Sequence, residues 1–306
     1  MNKISYWMIA MCAGLLTACS PTSHTQVVDL FPDGDFGRYW DVYLGIPHPR
    51  VEVPGYSDSI RAAQEPLGLG HDPLGVFEVV EVDGEPLIRI SGQVYGCLTS
   101  RTSYSNYHFS WEFKWGDAVW PPREQLPMDS GILYHCSGPQ GAFGTYRSWM
   151  SSVECQVEAG DCGEYWSLAG AYADIASAEN SGVEGEPFRF DPDGSPRTFA
   201  RSHLGGVGPV CHESRDVEHP KGEWNRGEIY VLGDQSIHLI NGEVVMALQN
   251  IRKSDGETET PLTSGFIQIQ SEGAEIFYRN LKMEPITHFP EGWASKAGFS
   301  GGEIDG

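Results

Sequence analysis

The sequence predicts an all-β protein built as a β-sandwich or jelly roll. Short runs in which apolar and polar residues alternate recur along the chain, and amphipathic helices of useful length are nearly absent. Asp83-Gly84 and Asn241-Gly242 lie between such runs, and both dipeptides suit two-residue hairpin turns because they tolerate positive φ. Many short strands joined by tight turns are typical of sandwiches and jelly rolls.

Ten runs have the period-two pattern of a half-buried strand. They cover residues 76–82, 87–91, 108–115, 131–136, 153–158, 228–232, 237–240, 244–248, 266–270 and 276–283. Between residues 159 and 221 the alternation fades and Gly, Pro and polar residues dominate, which predicts a long loop over one sheet face. We expect residues 29–286 to form one domain and residues 287–306 to form a flexible tail.

The N-terminus has the features of a bacterial lipoprotein signal. An apolar run over residues 4–16 follows Lys3, and it closes with Leu16-Thr17-Ala18-Cys19, which resembles a lipobox. We therefore expect residues 1–18 to be removed as a signal peptide and Cys19 to carry the acyl chains. Residues 19–28 would then be a polar tether.

This N-terminus predicts a protein that is lipid-anchored to the bacterial cell envelope. Several acyl chains on one residue hold a protein stably on a membrane. Ser20 is not an acidic inner-membrane retention residue, so the outer membrane is the expected site, on its periplasmic or surface side.

The charge of the chain excludes one class of partner and favours another. The formal net charge is −22. Binding to a phosphate backbone requires clustered Lys and Arg, so nucleic acid is not expected as a partner. Neutral substrates fit this charge better than anionic ones.

The cysteines and acidic loops give weak signals for cross-links or metals. Besides Cys19, the mature chain would contain five cysteines without the spacing of a metal site. One disulfide, such as Cys162 with Cys211, is compatible with an oxidising compartment. No catalytic metal or other cofactor is expected. A structural calcium at Asp191-Pro192-Asp193-Gly194 is an alternative to a plain turn.

Several strands place polar side chains opposite an apolar face. In the run 153–158, Glu154, Gln156 and Glu158 alternate with apolar residues. The same pattern sets Gln268 and Gln270 opposite two isoleucines. It also predicts that His135 points with Leu133, and that Glu112 points away from its aromatic neighbours Trp111 and Phe113. These amide, histidine and carboxylate groups differ from a plain solvated surface.

Motifs along most of the chain resemble one known family. They include Asp129-Ser130-Gly131-Ile132-Leu133-Tyr134-His135-Cys136, Glu154-Cys155-Gln156, Gly222-Glu223-Trp224-Asn225, Gln268-Ile269-Gln270-Ser271-Glu272-Gly273 and Arg279-Asn280, together with residues 73–77, 80–86, 88–92, 98–99, 104–108, 112–116 and 239–242. In this order they resemble the 3-keto-disaccharide hydrolase domain family, over about residues 29–285. The resemblance implies a concanavalin A-like sandwich with long loops over its concave face.

The resemblance also implies cleavage of glycosides that carry a ketone at C3 of the sugar. The ketone acidifies the C2 proton, so the site needs a base at C2, donors for the enolate oxygen and an acid for the leaving group. Elimination followed by hydration gives net hydrolysis. A sugar 3-dehydrogenase is the expected pathway partner, because it would make the keto substrate.

Roles for individual residues follow from the resemblance and from the facing directions. Glu154 or His135 is the candidate base, and Glu112 or Glu158 is the candidate for assisting proton transfer. The candidates for holding the ketone and hydroxyls are Gln156, Gln270 and Arg279. Trp149 is a candidate for stacking on a sugar ring, as are Trp40 and Trp120.

Two other functions are compatible with the same residues. Glu154-x-Gln156-x-Glu158 is similar to the Glu-x-Asp-x-Glu strand of retaining jelly-roll glucanases, with Gln156 in place of Asp. Two carboxylates four strand residues apart have Cα atoms about 13 Å apart. A retaining pair needs its carboxyl groups about 5–5.5 Å apart, so these side chains would have to converge. The other alternative is a surface lectin that binds glycan without cutting it.

Overall fold

The computed structural model describes residues 26–180 and 187–299. The predicted signal peptide, Cys19 and residues 19–25 of the predicted tether lie outside the described residues, as do residues 300–306 of the predicted tail. Within the described ranges, no helix has both the length and the apolar character needed to cross a membrane.

Short strands account for most of the regular structure in the described ranges. They are β1 (Val28–Asp29), β2 (Trp40–Leu44), β3 (Gly68–Leu69), β4 (Phe77–Val82), β5 (Glu85–Ile90), β6 (Gly96–Ser100), β7 (Tyr107–Val119), β8 (Asp129–Ser137), β9 (Ser151–Glu158), β10 (Tyr165–Leu168), β11 (Ala171–Glu179), β12 (Phe188–Phe190), β13 (Ser195–Phe199), β14 (Val210–Cys211), β15 (Asn225–Leu232), β16 (Gln235–Ile240), β17 (Glu243–Ser254), β18 (Glu259–Pro261), β19 (Phe266–Ser271) and β20 (Ala274–Pro285). Helices α1 (Asp58–Ala62) and α2 (Glu291–Lys296) are short, as are two 3₁₀ turns at Pro32–Gly34 and Ser202–Leu204.

The strands form two large antiparallel sheets. The eight-stranded sheet has the order β14-β10-β9-β8-β19-β6-β2-β3. The twelve-stranded sheet has the order β12-β11-β17-β16-β15-β7-β20-β5-β4, with β1 beside β20, β13 beside β11 and β18 beside β17. The predicted all-β sandwich of concanavalin A-like, jelly-roll class is confirmed.

The main core lies between the two sheets. Phe109, Trp111 and Phe113 of β7 are fully buried and belong to the same apolar cluster as Val153 and Cys155 of β9. This cluster explains the alternation, because only one side of each strand meets the other sheet. Burial of aromatic side chains of this size is a main source of stability, and truncating one to Ala costs about 3–5 kcal/mol.

The ten predicted strands all coincide with observed strands, but the prediction for residues 159–221 is wrong. That stretch contains β10 to β14 rather than one long loop. The strands there are stabilised by pairing: β10 pairs with β9, and β11 pairs with β17. Such backbone hydrogen bonds do not depend on an apolar and polar alternation, so the pattern missed them.

Both predicted ends of the domain also need correction. Val28, assigned to the tether, lies in β1 and pairs with Met283 of β20. Residues 287–299, assigned to a flexible tail, contain α2. Ala294, Ala297 and Phe299 of this segment are buried in the main core, which holds the segment on the domain.

The five cysteines of the described ranges are free thiols. Cys97, Cys136, Cys155, Cys162 and Cys211 are all buried and none forms a disulfide. The suggested disulfide between Cys162 and Cys211 is therefore absent. Burial raises the pKa of the Cys97 thiol to about 12, so it stays protonated.

Candidate functional site

The candidate site is the face of the eight-stranded sheet that points away from the core, called the site face below. Glu154, Gln156 and Glu158 of β9 lie on it, because Val153, Cys155 and Val157 between them pack into the core. Gln156 pairs with Gly131 on β8, and the β8–β19 register places Gln270 on the other side of Gly131. The site face therefore contains two of the predicted amides in one row.

Gly131 lets two side chains meet in the middle of this row. A Cβ atom at this position would lie 2.0 Å from Glu154 Oε1 and 2.5 Å from Gln270 Oε1. Any larger residue would push these two groups away from the sheet. The glycine therefore creates the space in which the Glu154 carboxyl and the Gln270 amide converge.

Glu154 is a buried carboxyl with an unused oxygen. The residue is 4% exposed, and Oε1 has no hydrogen-bond partner. Burial raises the pKa of Glu154 well above its ordinary value, and the nearby carboxylates of Glu272, Glu164 and Glu158 raise it further. A hydrogen bond from Gln270 opposes the shift. A carboxylate with a raised pKa is a stronger base than an ordinary one.

A second group of acidic side chains surrounds Arg123. Its guanidinium nitrogens lie 2.7 Å from Asp129 Oδ2, 2.6 Å from Glu158 Oε2 and 4.0 Å from Glu272 Oε1. Asp129 pairs with Glu158 across β8 and β9. One guanidinium is therefore shared by three carboxyl groups near Glu154. Carboxyl groups outnumber cationic groups at this end of the site face.

The pKa of Glu272 is raised in this acidic surrounding. Burial raises the pKa of Glu272 to about 8; Arg123 opposes this shift, and Glu158 adds to it. Burial likewise raises the pKa of Asp129 well above its usual range. Two interacting carboxyls do not readily ionise together, so Glu154 and Glu272 can supply one base and one proton donor.

An aromatic cavity of about 540 Å³ opens beside these carboxyls. Its lining combines rings with one cation and one carboxyl, namely Tyr95, Phe143, Tyr146, Trp149, Trp166, Arg201 and Glu272, together with Pro122, Gly144 and Thr145. The centroid of the Tyr95 ring lies 4.9 Å from that of the Tyr146 ring and 5.9 Å from that of the Trp149 ring. Trp166 pairs with Glu154 in the sheet, so one residue of the cavity wall is the cross-strand neighbour of the buried carboxyl.

The structure brings together some of the predicted site residues. Glu154, Gln156, Glu158 and Gln270 share the site face, and Trp149 lines the cavity beside them. The Gln156 side chain accepts a hydrogen bond from the Val157 N–H at 3.0 Å. Glu158 is already bound to Arg123, so it is not a free partner for Glu154 in a retaining carboxylate pair.

Two predicted site residues lie on the opposite side of the molecule. Glu112 and Arg279 belong to β7 and β20 of the twelve-stranded sheet and point away from the core. Arg279 Nε donates to Glu112 Oε2 at 2.7 Å, and its guanidinium lies 4.0 Å from the centre of the Trp224 ring. Alternation showed that these residues face outward, but it did not show on which of the two outer faces.

His135 is not on the site face with Glu154. It sits at a β-bulge between β8 and β9 with φ of +52°, and the bulge turns Cys136 instead toward the apolar cluster that contains Leu133. Its ring is fully buried, with its centroid 5.5 Å from that of Tyr134. Burial lowers the pKa of His135 to about 4, so the ring is neutral at pH 7.

Sequence reasoning missed Glu272, Asp129 and Arg123. A signal for two of them was present, because the alternation that selects Gln270 also selects Glu272 two residues later. Similarly, Asp129 lies two residues before Gly131. Arg123 follows the cis Pro121-Pro122 bond and lies outside any strand, so no periodic pattern could have identified it.

The acidic segment 191–194 forms a turn. Asp191 Oδ1 accepts the Asp193 N–H at 3.0 Å, and the Asp191 carbonyl accepts the Gly194 N–H at 2.9 Å. The Asp191 carboxylate thus accepts a hydrogen bond from the backbone two residues later, as is typical of an Asx turn.

The family of 3-keto-alpha-glucoside-1,2-lyase-like domains matches residues 61–284. The chain belongs to this family. The match contains every residue of the site described above, including Arg123, Glu154 and Glu272. No curated protein sequence matches the chain. Family membership and the sandwich fold make this a carbohydrate-active jelly-roll protein.

Solved structures of similar fold come from several bacterial proteins. A candidate glycosyl hydrolase from Parabacteroides distasonis is 18% identical, with a TM-score of 0.45 and coverage of 85% of this chain and 94% of that chain. A β-glucanase from Bacillus licheniformis is 10% identical, with a TM-score of 0.42 and coverage of 86% and 99%. The carbohydrate-binding module CBM66 from Bacillus subtilis is 8% identical, with a TM-score of 0.39 and coverage of 68% and 91%.

Proposed function

We propose that this protein cleaves the glycosidic bond of 3-keto-glycosides by elimination, followed by hydration. The observation that carries the proposal is the buried Glu154 carboxyl, whose Oε1 has no partner and lies above Gly131. Its neighbour in the sheet, Trp166, lines an aromatic cavity. Family membership supports the same chemistry. The cavity volume of about 540 Å³ is within the range of small-ligand sites.

The proposed reaction begins at C2 of the oxidised sugar. The Glu154 carboxylate takes the C2 proton, and the electrons of that bond form an enolate with the C3 ketone. The enolate then re-forms the ketone as the C1–O bond breaks, which leaves a double bond between C1 and C2. In the reactive form Glu272 holds a proton, and it gives this proton to the departing oxygen. Addition of water at C1 to the resulting enone yields the free 3-keto sugar.

Three kinds of side chain support the reaction without changing covalently. Gln270 and Gln156 offer amide groups to the ketone and hydroxyls of the sugar. Trp149 and Trp166 offer flat apolar faces to the ring, as expected for a neutral carbohydrate. The positive charge of Arg123 reduces the electrostatic repulsion among the carboxylates of Asp129, Glu158 and Glu272.

Product analysis tests the proposal directly. A 3-keto-α-glucoside and the matching unoxidised glucoside are incubated with the protein, and products are identified by mass spectrometry and NMR. We expect an enone or its hydrated ketose from the oxidised sugar and no release from the unoxidised one. Release from the unoxidised sugar would support a glucanase, and saturable binding without product would support a lectin; either outcome contradicts the proposal.

We also propose that the N-terminus places this activity at the cell envelope. The support is the lipobox-like sequence that ends at Cys19. Metabolic labelling with a palmitate analogue should tag the wild-type protein and not the Cys19→Ser variant. Label on both proteins, or on neither, would contradict lipidation at this residue. A sugar 3-dehydrogenase in the same pathway is proposed on chemical grounds alone, because a 3-keto substrate must come from an oxidation.

A further inference from the structure

A second cluster of polar side chains lies at the β14 edge of the eight-stranded sheet. Asp161 and Glu164 come from the turn between β9 and β10, and His212 and Glu213 directly follow β14. Each of the four offers one potential ligand atom, and these atoms all lie within 4.8 Å of one another. The cluster is separate from the carboxyls around Arg123.

Most of this cluster is buried. Glu164 is 4% exposed, Glu213 is 5% exposed and His212 is 9% exposed, whereas Asp161 is partly open to solvent. His212 Nδ1 lies 3.1 Å from Glu164 Oε2 and 3.7 Å from Asp161 Oδ1. Three carboxyl groups and one imidazole are therefore packed into a small volume at the sheet edge.

Two observations indicate a positively charged ligand at this position. Glu213 Oε2 is buried and has no hydrogen-bond partner, although it belongs to the converging set. In the described ranges, no Lys or Arg forms an ion pair with Asp161, Glu164 or Glu213. Buried carboxylates are normally paired or bound to a metal, because an unpaired charge in a protein interior is costly.

We propose that Asp161, Glu164, His212 and Glu213 bind one divalent transition-metal ion of the Mn²⁺ or Zn²⁺ class. The imidazole nitrogen favours such ions over Ca²⁺, which takes oxygen ligands. Ligand atoms in zinc sites lie about 2.0–2.2 Å from the ion, so two ligand atoms of a tetrahedral site are roughly 3.4 Å apart. His212 Nδ1 and Glu164 Oε2 are 3.1 Å apart, and all four ligand atoms lie within 4.8 Å of one another, so a modest contraction of the set would complete such a site.

The proposed ion would also support the wall of the aromatic cavity. Trp166 Nε1 donates to Glu164 Oε1 at 2.5 Å, and Trp166 lines the cavity. A carboxylate fixed by a metal on one oxygen holds the tryptophan with the other, as outer-shell partners do in metal sites. Metal binding itself does not rest on the proposed reaction, because it needs no sugar.

Metal titration of the full protein tests the site. The protein is stripped with a chelator, and MnCl₂, ZnCl₂ and CaCl₂ are titrated separately by calorimetry, with the bound metal counted by elemental analysis. We expect one Mn²⁺ or Zn²⁺ per chain and weaker Ca²⁺ binding. Asp161→Asn and His212→Ala should each weaken binding at least about tenfold. Asp193→Asn, in the acidic turn 191–194, is the matched control and should bind like the wild type.

Folding of the variants is checked by circular dichroism and thermal unfolding without metal. Asp161 is partly exposed, so its substitution is expected to leave the fold intact even if His212→Ala does not. Absence of Mn²⁺ and Zn²⁺ binding, wild-type affinity in Asp161→Asn, or tighter binding of Ca²⁺ would each overturn the proposal. None of these outcomes bears on the cleavage of 3-keto-glycosides, which is measured separately.

Discussion

The two outer faces of the sandwich use the same residue types in different ways. On the twelve-stranded sheet, the Glu112 and Glu85 carboxylates both accept hydrogen bonds from Arg279, which also stacks on Trp224. On the site face, Glu154 is buried and one of its oxygens has no partner. Outward-facing Glu, Arg and Trp therefore do not by themselves mark a site. A buried carboxyl oxygen without a partner is a more specific indication, because leaving it unsatisfied costs stability that a bound ligand, ion or water can restore.

The sharpest test of this contrast is a pair of matched Glu-to-Gln substitutions. Glu154→Gln should reduce kcat on a 3-keto-glucoside by about 10²- to 10⁴-fold, because an amide cannot accept the C2 proton. Glu112→Gln, on the other outer face, should keep kcat within about twofold. Steady-state kinetics of both proteins provide the measurement. Equal losses in the two variants would remove the functional distinction between the faces.

The pH profile tests whether Glu154 and Glu272 divide the acid and base roles. Turnover should rise with pH while the base Glu154 loses its proton, and it should fall at higher pH as Glu272 loses the proton it must donate; both limbs should lie above the ordinary carboxyl range, because the pKa of each group is raised. Glu272→Gln should lower kcat by roughly 10- to 100-fold and abolish the alkaline fall. The measurement is kcat/KM from pH 5 to pH 10; an alkaline fall that persists in the variant assigns it to another group.

Gly131→Ala tests the convergence of the two side chains without removing either one. The added Cβ would lie 2.0 Å from Glu154 Oε1, so the carboxyl must move. A displacement of about 1 Å can cost up to about 10²-fold in rate, so we expect kcat to fall roughly 10- to 100-fold. Gly292→Ala in α2 is the control, because its added Cβ meets nothing within 4 Å. Wild-type turnover in Gly131→Ala would show that the two groups need not meet.

The smallest expected effect compares two tryptophans. Trp149→Ala removes a ring from the cavity and should raise KM roughly two- to tenfold, which corresponds to ~0.5–1.5 kcal/mol of aromatic contact. Trp224→Ala removes a ring that stacks on Arg279 on the opposite face, and KM should not change. Sugar-concentration curves for the two variants distinguish these outcomes. A rise in KM only for Trp224→Ala would show that the sugar binds on the outer face of the twelve-stranded sheet, which contradicts our proposal.

The sequence predicted strands and their faces well, and it predicted their partners poorly. Alternation in the run 153–158 correctly placed Glu154 and Gln156 away from the core. The same reasoning treated Glu112 as a neighbour of Glu154, although β7 lies in the other sheet. A period of two assigns each residue to one side of its own strand, and it contains no information about which sheet the strand joins.

Local irregularities account for the rest of the mismatch. One bulge residue at His135 shifts the alternation, so that Cys136 takes the side predicted for the histidine. Arg123 reaches the carboxyls from a segment without regular structure. Strand β14 is two residues long and is held by pairing with β10, and no hydrophobic pattern can predict so short a strand.

The five buried thiols affect how this protein folds and how its unfolding can be detected. Because no disulfide links the described ranges, their folding requires no oxidant. The thiolate is the reactive form of cysteine, and burial keeps Cys97 and Cys136 protonated. Alkylating reagents therefore reach these positions only when the sandwich opens, which makes the native cysteines internal reporters of its unfolding.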